Sequence, residues 1–359
     1  MKKIILICTR SITFNTFLKS QAEYFNKKGF KIEIACSDNN KLDFKSNLTY
    51  KIDFPNKIIE LFNLVKYVKI YFQIRHLVKK NPTALYYLHT PLASHFFRLL
   101  TFFKKLKIIY FVHGFRFTSR TNHIKGFIFK YIEKILSFNT SIFITINNED
   151  FNYANLNLVK KSLCYQVKGV GLELSKNHFL KKILYKNRIK KILVIAAYKK
   201  EKGYLDIIKV AELLKNKNIQ IECYGYGDYN KFNSIKIKKK LSNILFKNFD
   251  YNLKNKIKKY DLLLHLSKRE GLPVAVMQSL TNGLPVICYK IRGNNDLIKH
   301  NFNGYFVESY KDVVNKIYYL QLENKVFNNM RLNAFKSINK SYLKKKINIK
   351  IYKIINSNF

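Results

Sequence analysis

The stretch SKREGLPVAVMQSLTNGLPVICYKIRGNNDLI, Ser267 to Ile298, decides the fold. Ahead of it stands Asp261–Leu266, DLLLHL, a mostly apolar run of strand length. That run enters a turn at Glu270 and Gly271. A helix is expected from about Leu272–Pro273, because proline lacks an N–H that the first helical turn does not need. Gly283, Leu284 and Pro285 end the helix and return the chain to a second run, LPVICYK. Strand, helix and strand in this order make one βαβ unit of a parallel sheet.

Working outward, the same rhythm fills most of the chain. KIILICT, KIEIACS, ALYYLHT, KIIYFVH, SIFITIN and SLCYQV read as strands in the first half, each followed by a helical pattern. A second series begins near Lys190 with KILVIAAY, IQIECYGYG and NILFKNF, passes through the unit above, and ends at GYFVES. Two doubly wound α/β domains in tandem are therefore expected, over residues 1–171 and 190–336. Between them the polar, basic segment 172–189 shows no strand pattern and reads as a linker. Residues 337–359 read as a last helix that packs back on the first domain, with Lys340, Lys344, Lys345, Lys346, Lys350 and Lys353 and no acid.

Composition narrows the function. A chain of 359 residues, 47% hydrophobic and 25% charged, suits a globular enzyme of two domains at about 150 residues each and excludes disorder as the main state. Its five cysteines, Cys8, Cys36, Cys164, Cys223 and Cys288, are odd in number, widely spread and without a Cys-x-x-Cys pair. Neither a disulfide framework nor a zinc site is expected, and a reducing cytoplasm fits. No run approaches the ~20 apolar residues of a membrane span. The short apolar run Ile4–Cys8 is not the core of a signal peptide.

Lys and Arg number 67 against 22 Asp and Glu, a formal net charge of +45, which points to an anionic partner or substrate. The excess is unevenly placed. From Leu61 to Ile132 there are 72 residues with no acid and 13 Lys or Arg, interleaved with aromatics. The segments IIELFNLVKYVKIYFQIRHLVKK and HFFRLLTFFKKLK read as helices with a basic edge and an apolar stripe, the type that lies on anionic lipid. No RNA- or DNA-binding signature accompanies the charge, so nucleic acid is not expected as a partner.

The carboxyl ends of strands in such sheets are where ligands bind. There the sequence puts Glu270 and, eight residues on, Gln278, with the free amides of the helix start, Gly271 and Leu272 among them, as an anion site. Lys202 follows the first strand of the second domain. Gly225 and Gly227 end the next strand, and Arg292, Gly293, Asn294 and Asp296 begin another helix. In the first domain, His89 and His113 stand at strand ends, and the segment Thr9–Thr16, carrying Ser11, is expected to be a loop. No metal-ligand cluster, Ser-His-Asp order or Cys-His signature is visible.

In order and spacing, HTP at His89–Pro91, HGF at His113–Phe115, TINNEDFNYA at Thr145–Ala154, GVGLE at Gly169–Glu173, YGYGD at Tyr224–Asp228, REGLPVAVMQ at Arg269–Gln278 and IRGNNDLI at Ile291–Ile298 resemble the family-4 retaining glycosyltransferases. The resemblance is to the bacterial group that builds capsule, exopolysaccharide and O-antigen. It covers most of the chain. It implies the GT-B fold, two Rossmann-like domains whose parallel sheets face one another across a cleft, the first for the acceptor and the second for the nucleotide sugar.

The resemblance also implies roles. The Glu-x7-Glu motif falls on Glu270, which would face hydroxyls of the transferred sugar, and on Gln278, where the family carries a ribose-binding carboxylate. A neutral amide loses the charge-assisted bond of that carboxylate. Lys202 matches a lysine that grips the donor diphosphate, while its usual Arg partner falls on Ala197, leaving Lys199 or Lys200 to supply the charge. Gly225 would lie by the base or ribose and Arg292 by the sugar phosphate. His113 would touch the reacting centre, and Ser11 and His89 would face the acceptor.

The implied reaction moves a hexose or N-acetylhexosamine from a UDP-sugar to a saccharide on a polyprenyl diphosphate, without metal or other cofactor, at the inner face of the cytoplasmic membrane. Two other readings stay open on the residues: a sugar-nucleotide epimerase of similar fold, and a binding protein with weakened catalysis, to which Gln278 and Ala197 point.

Overall fold

The computed structural model describes residues 2–38, 41–44, 48–55, 63–158, 163–174 and 185–359. The chain divides into two compact units, Met1–Gly171 with Lys344–Phe359, and Leu172–Leu343.

The first unit is built on seven parallel strands: β1 (Lys3–Ile7), β2 (Lys31–Cys36), β3 (Thr49–Lys51), β4 (Leu85–His89), β5 (Lys107–Val112), β6 (Ile142–Thr145) and β7 (Cys164–Gln166). Their spatial order is β3-β2-β1-β4-β5-β6-β7. Ile4 through Ile7 are fully buried, as are Tyr86, Tyr87, Leu88 and Ile108 through Tyr110. Continuous burial, without alternation, is what a parallel sheet covered on both faces requires. β3 is missed by the sequence reading because it is a three-residue edge strand with two exposed residues and no apolar run.

Helices α1 (Ser11–Thr13), α2 (Lys19–Lys27), α3 (Leu64–Lys80), α4 (Pro91–Leu100), α5 (His123–Ser137) and α6 (Asn148–Asn157) connect these strands. Two segments differ from the expected pattern. The segment Thr9–Thr16 is not a loop: helix begins at Ser11 and continues through a wider turn, Phe14–Leu18, into α2. The segment HFFRLLTFFKKLK is not one helix either, since α4 stops at Leu100 and Lys107 already starts β5. Residues 58–62, read as the start of the other basic helix, lie outside the described residues.

The second unit carries six parallel strands, β8 (Lys191–Ile195), β9 (Gln220–Gly225), β10 (Ile244–Asn248), β11 (Leu262–His265), β12 (Val286–Tyr289) and β13 (Gly304–Val307), in the order β10-β9-β8-β11-β12-β13. Helices α7 (Tyr204–Leu213), α8 (Asn230–Lys238), α9 (Leu253–Lys256), α10 (Val274–Leu280), α11 (Asn294–Leu297), α12 (Tyr310–Leu322) and α13 (Asn324–Ser337) complete it. Residues read as linker belong partly to this body. Lys186 is paired with Asp261, its backbone N–H donates to Asn328 Oδ1 at 2.9 Å, and Ile189 N–H donates to Gln321 Oε1 at 2.9 Å. Residues 175–184 of that segment lie outside the described residues.

The chain then returns to the first unit as α14 (Lys344–Asn358). Ile347, Ile351, Ile354 and Ile355 are buried at helical spacing, Asn348 Nδ2 donates to Ser20 O at 3.3 Å, and Tyr352 lies edge-on to Tyr24 and Phe30. Departure and return occur at one place: a Cβ on Gly171 would stand 2.7 Å from the Cα of Lys344, and Leu172 bridges to Leu343.

Each sheet has one topological switch point, where the strand order reverses, and such a crevice at the carboxyl ends is the place for a ligand. It falls between β1 and β4 in the first unit and between β8 and β11 in the second. All five cysteines are buried free thiols. Among the described residues no helix is long and apolar enough to cross a membrane.

Candidate functional site

In the second unit the switch point gathers charge. β11 ends in buried His265, and the chain runs through buried Ser267 and exposed Lys268 and Arg269 to Glu270. From the loop after β8, Lys202 Nζ reaches Glu270 Oε1 at 2.6 Å, and His265 Nε2 lies 3.4 Å from the same oxygen. The two loops are also joined by backbone, Lys268 N–H donating to Glu201 O at 2.8 Å. Burial by itself raises a carboxyl, but His265 and Lys202 outweigh it and hold Glu270 down at about 2. The group is therefore a carboxylate throughout the neutral range, with a cation already beside it.

Arg292 grips this turn from the far side. It is buried, and its Nε donates to the carbonyl of Glu270 at 2.9 Å. Gly293 follows with φ +79°, and a Cβ there would stand 2.3 Å from the Gly271 carbonyl oxygen. Only glycine lets the start of α11 pass so close to the turn that carries Glu270. Arg292 thus holds the backbone of the sugar-facing candidate.

Helix α10 begins at Val274, later than the sequence implied, with Pro273 in extended conformation at its cap, Leu272 buried and Gly271 partly exposed. Gln278 is half-buried on this helix, and its backbone carbonyl accepts from Thr281 Oγ1 and Asn282 Nδ2, both at 2.8 Å. Of the three lysines considered, Lys202 meets Glu270, while Lys199 and Lys200 are exposed and Ala197 is half-buried. At Gly225 the close approach comes from within the chain: a Cβ would stand 1.9 Å from the Ala196 carbonyl oxygen. His265 escaped the sequence reading, although its place at the end of the switch-point strand marks it.

At the switch point of the first unit, hydroxyls meet between β1 and β4, and two histidines meet at the end of β4. Thr9 N–H donates to Thr90 Oγ1 at 3.1 Å, and the two hydroxyls lie 2.6 Å apart, which ties β1 to β4. Thr90 sits at φ +66°, a strained conformation for a β-branched residue, between buried His89 and Pro91 at the start of α4. His89 Nδ1 is 3.1 Å from His113 Nε2, so one ring donates and the other accepts. Burial lowers His113 to about 4, and burial with its neighbour His113 puts His89 well below the usual histidine range. Both are neutral near pH 7. His89 is fully buried against Tyr87 and Phe111, and the half-buried ring is His113, which has Phe17 at 6.5 Å. Ser11 is buried too, its N–H donating to Asp38 Oδ1 at 2.6 Å. The contacts of Thr9 with Thr90 are invisible in the sequence, where 81 residues separate them.

Among the described residues no group of three or more His, Cys, Asp or Glu is placed to hold a metal ion. What the second unit offers is a carboxylate and an ammonium side by side where a ligand enters, a pair suited to a hydroxyl-rich group with a phosphate attached.

The comparisons with known proteins converge. The family described as "Glycosyl transferases group 1" matches residues 175–337, and "Glycosyl transferase 4-like" matches residues 3–147. The chain is 23% identical over 305 residues to the UDP-Gal:alpha-D-GlcNAc-diphosphoundecaprenol alpha-1,3-galactosyltransferase of Escherichia coli, covering 80% of this chain and 78% of the relative. It is 23% identical over 323 residues to the putative glycosyltransferase EpsD of Bacillus subtilis (strain 168), covering 86% and 84%. Among solved structures it resembles Anabaena Alr3699/HepE in complex with UDP and glucose, with a TM-score of 0.76, 13% identity, and coverage of 99% and 100%. With both units matched by glycosyltransferase families and both sheets wound as in GT-B enzymes, the chain is a glycosyltransferase of GT-B fold.

Proposed function

We propose that this enzyme transfers a hexose or N-acetylhexosamine from a UDP-sugar, with retention, to a saccharide carried on a polyprenyl diphosphate, in the assembly of a surface polysaccharide at the inner face of the cytoplasmic membrane. The observation that carries the reading is the Lys202–Glu270 pair at the switch point of the second unit. The relative that acts on a diphosphoundecaprenol-linked sugar supports the acceptor, and the neighbour holding UDP supports the donor.

In this reading Lys202 releases part of its contact with Glu270 to the donor diphosphate. Negative charge grows there as the bond between the anomeric carbon and the phosphate oxygen breaks, and a fixed cation lowers that barrier by a few kcal/mol, about 2 to 4. Glu270 accepts hydrogen bonds from sugar hydroxyls. Gln278 meets the ribose as an amide. The acceptor hydroxyl attacks from the face the phosphate leaves, its oxygen bonds to the anomeric carbon, and its proton passes to the departing phosphate. Lys202 supplies the charge at the diphosphate, and no resident metal is invoked.

The test is incubation of UDP-hexoses and UDP-N-acetylhexosamines with a polyprenyl-diphosphate-linked sugar, followed by analysis of the glycan. One donor should yield an extended lipid with retained anomeric configuration. Conversion of the free donor to its epimer without acceptor, or no turnover and no donor hydrolysis at all, would replace this reading.

A further inference from the structure

Helix α5 carries apolar side chains outward as well as inward. Its inward side carries Gly126, Glu133, Leu136 and Ser137, with half-buried Phe129 packed on the core, and Glu133 accepts from Arg98 Nη2 at 2.9 Å and faces His95 Nε2 at 2.7 Å. Burial would raise this carboxyl, but Arg98 and His95 hold it at about 2. The helix's acid is thus buried and paired, and a broad apolar face is left outward. Ile124, Phe127, Ile128, Tyr131, Ile135 and Phe138 recur every three or four residues along one stripe, and Ile124, Phe127 and Phe138 are 72%, 70% and 70% exposed. An ordinary surface helix turns a polar face to solvent, and a contiguous exposed apolar stripe marks an interaction site.

The surroundings specify the partner. Lys125, Lys130 and Lys134 are exposed along the flanks of the stripe, and residues 61–132 contain no acid. The strand order β4-β5-β6 advances in one direction, so right-handed crossovers put α3, α4 and α5 on one side of the sheet, where neighbouring helices pack together. That side also exposes Leu64, Val65 and Val68 at the start of α3 and Phe103 beyond α4. A second copy would set lysines against lysines on chains of net charge +45. An anionic bilayer neutralises the lysines and takes up the apolar stripe.

We propose that α5 lies in the surface of an anionic membrane, its Phe127–Tyr131–Phe138 edge inserted and its lysines at the headgroups. The proposal deepens the reading of a lipid-linked acceptor, yet it stands on this face and is tested with vesicles that contain no acceptor.

The chain has no tryptophan, so Phe127→Trp introduces its sole indole. The full chain is mixed with vesicles of phosphatidylcholine, with and without phosphatidylglycerol. Expected are co-sedimentation only with phosphatidylglycerol present, a blue shift of the indole emission of Phe127→Trp on binding, and no shift for Leu332→Trp, placed at an exposed site of the second unit. The pair Phe127→Ser, Tyr131→Ser should lower vesicle affinity by roughly tenfold or more. Reversing Lys125, Lys130 and Lys134 to Glu should lower it as well. Donor hydrolysis by both variants should match wild type, which shows that they fold. The proposal is overturned if binding ignores lipid charge, if the serine pair binds like wild type, or if the indole stays in water while the protein sediments. It is equally overturned if gel filtration reveals a dimer that the serine pair dissociates. Vesicle binding that persists while no lipid-linked sugar is extended refutes the acceptor reading and leaves this one intact.

Discussion

Lys202 Nζ and Glu270 Oε1, 68 residues apart in sequence, meet at 2.6 Å and join the loops that follow β8 and β11. Glu270 is held as a carboxylate against the lysine, so whichever ligand enters must share or divide the pair. A sugar with its diphosphate does so by giving hydroxyls to one and phosphate oxygens to the other.

Glu270→Ala is expected to reduce transfer by about a thousandfold, the scale for loss of a group that touches the reacting sugar, and to leave UDP affinity within a factor of about two to three. Steady-state kinetics with isothermal titration of UDP checks both. Lys202→Ala should weaken UDP and slow transfer together. Equal loss of UDP binding in Glu270→Ala would assign Glu270 to the nucleotide.

The carboxyl of Glu270 is lowered on folding, so its contribution to stability is present above the unfolded value, near 4.5, and is lost as pH falls towards about 2. Its size is on the order of 3 kcal/mol at most. Unfolding of wild type and Glu270→Gln by denaturant, compared from pH 7 downward, should differ by a constant amount above pH about 5 and converge below it. Lys202→Met should move that convergence to higher pH, since one of the contacts that hold the carboxyl down is gone.

Gln278→Glu should leave UDP affinity unchanged or tighten it by ~1 kcal/mol, because a carboxylate on this helix restores the stronger bond to a ribose hydroxyl. Gln278→Ala should weaken it. Titration of UDP into the three proteins decides, and indifference to both changes removes Gln278 from the site.

Gly293→Ala should cost about 2 kcal/mol or more of stability and also slow transfer. The added carbon needs the place of the Gly271 carbonyl oxygen, and any relief displaces the neighbouring Glu270. A variant that melts lower yet transfers at the wild-type rate would show that the turn absorbs the push without moving the carboxylate.

The His89–His113 pair makes the first unit acid-sensitive by a separate route. Both rings are lowered in the fold, so stability is full above the unfolded value of about 6.5 and declines as pH falls towards 4, where His113 takes up a proton. Thermal melts at pH 7 and pH 5 should show the decline, and His113→Asn should flatten it.

The sheets were legible because buried parallel strands announce themselves as unbroken β-branched and aromatic runs, and Glu270 because it follows such a run directly. What the sequence withheld depends on neighbours across a sheet. His265 looks like any strand residue until β8 is placed beside β11. The bond between Thr9 and Thr90 exists only because β1 and β4 adjoin at the switch point. In α5 the pattern FIFKYIEKIL contains one acid among apolar residues. It reads as a helix with its charge outward, and nothing local reveals that Arg98 waits inside to receive Glu133.

The junction at Gly171 and Lys344 makes the second unit an insertion within the first. Both of its ends emerge at one spot of a body whose sheet and final helix are complete without it. A gene in which the codon for Gly171 is followed by that for Lys344 therefore encodes an unbroken chain with all seven strands of the first sheet and α14. Leu172 and Leu343, bridged to each other, are correspondingly natural termini for the excised piece. The chain thus leaves the first unit and re-enters it at neighbouring residues, Gly171 and Lys344.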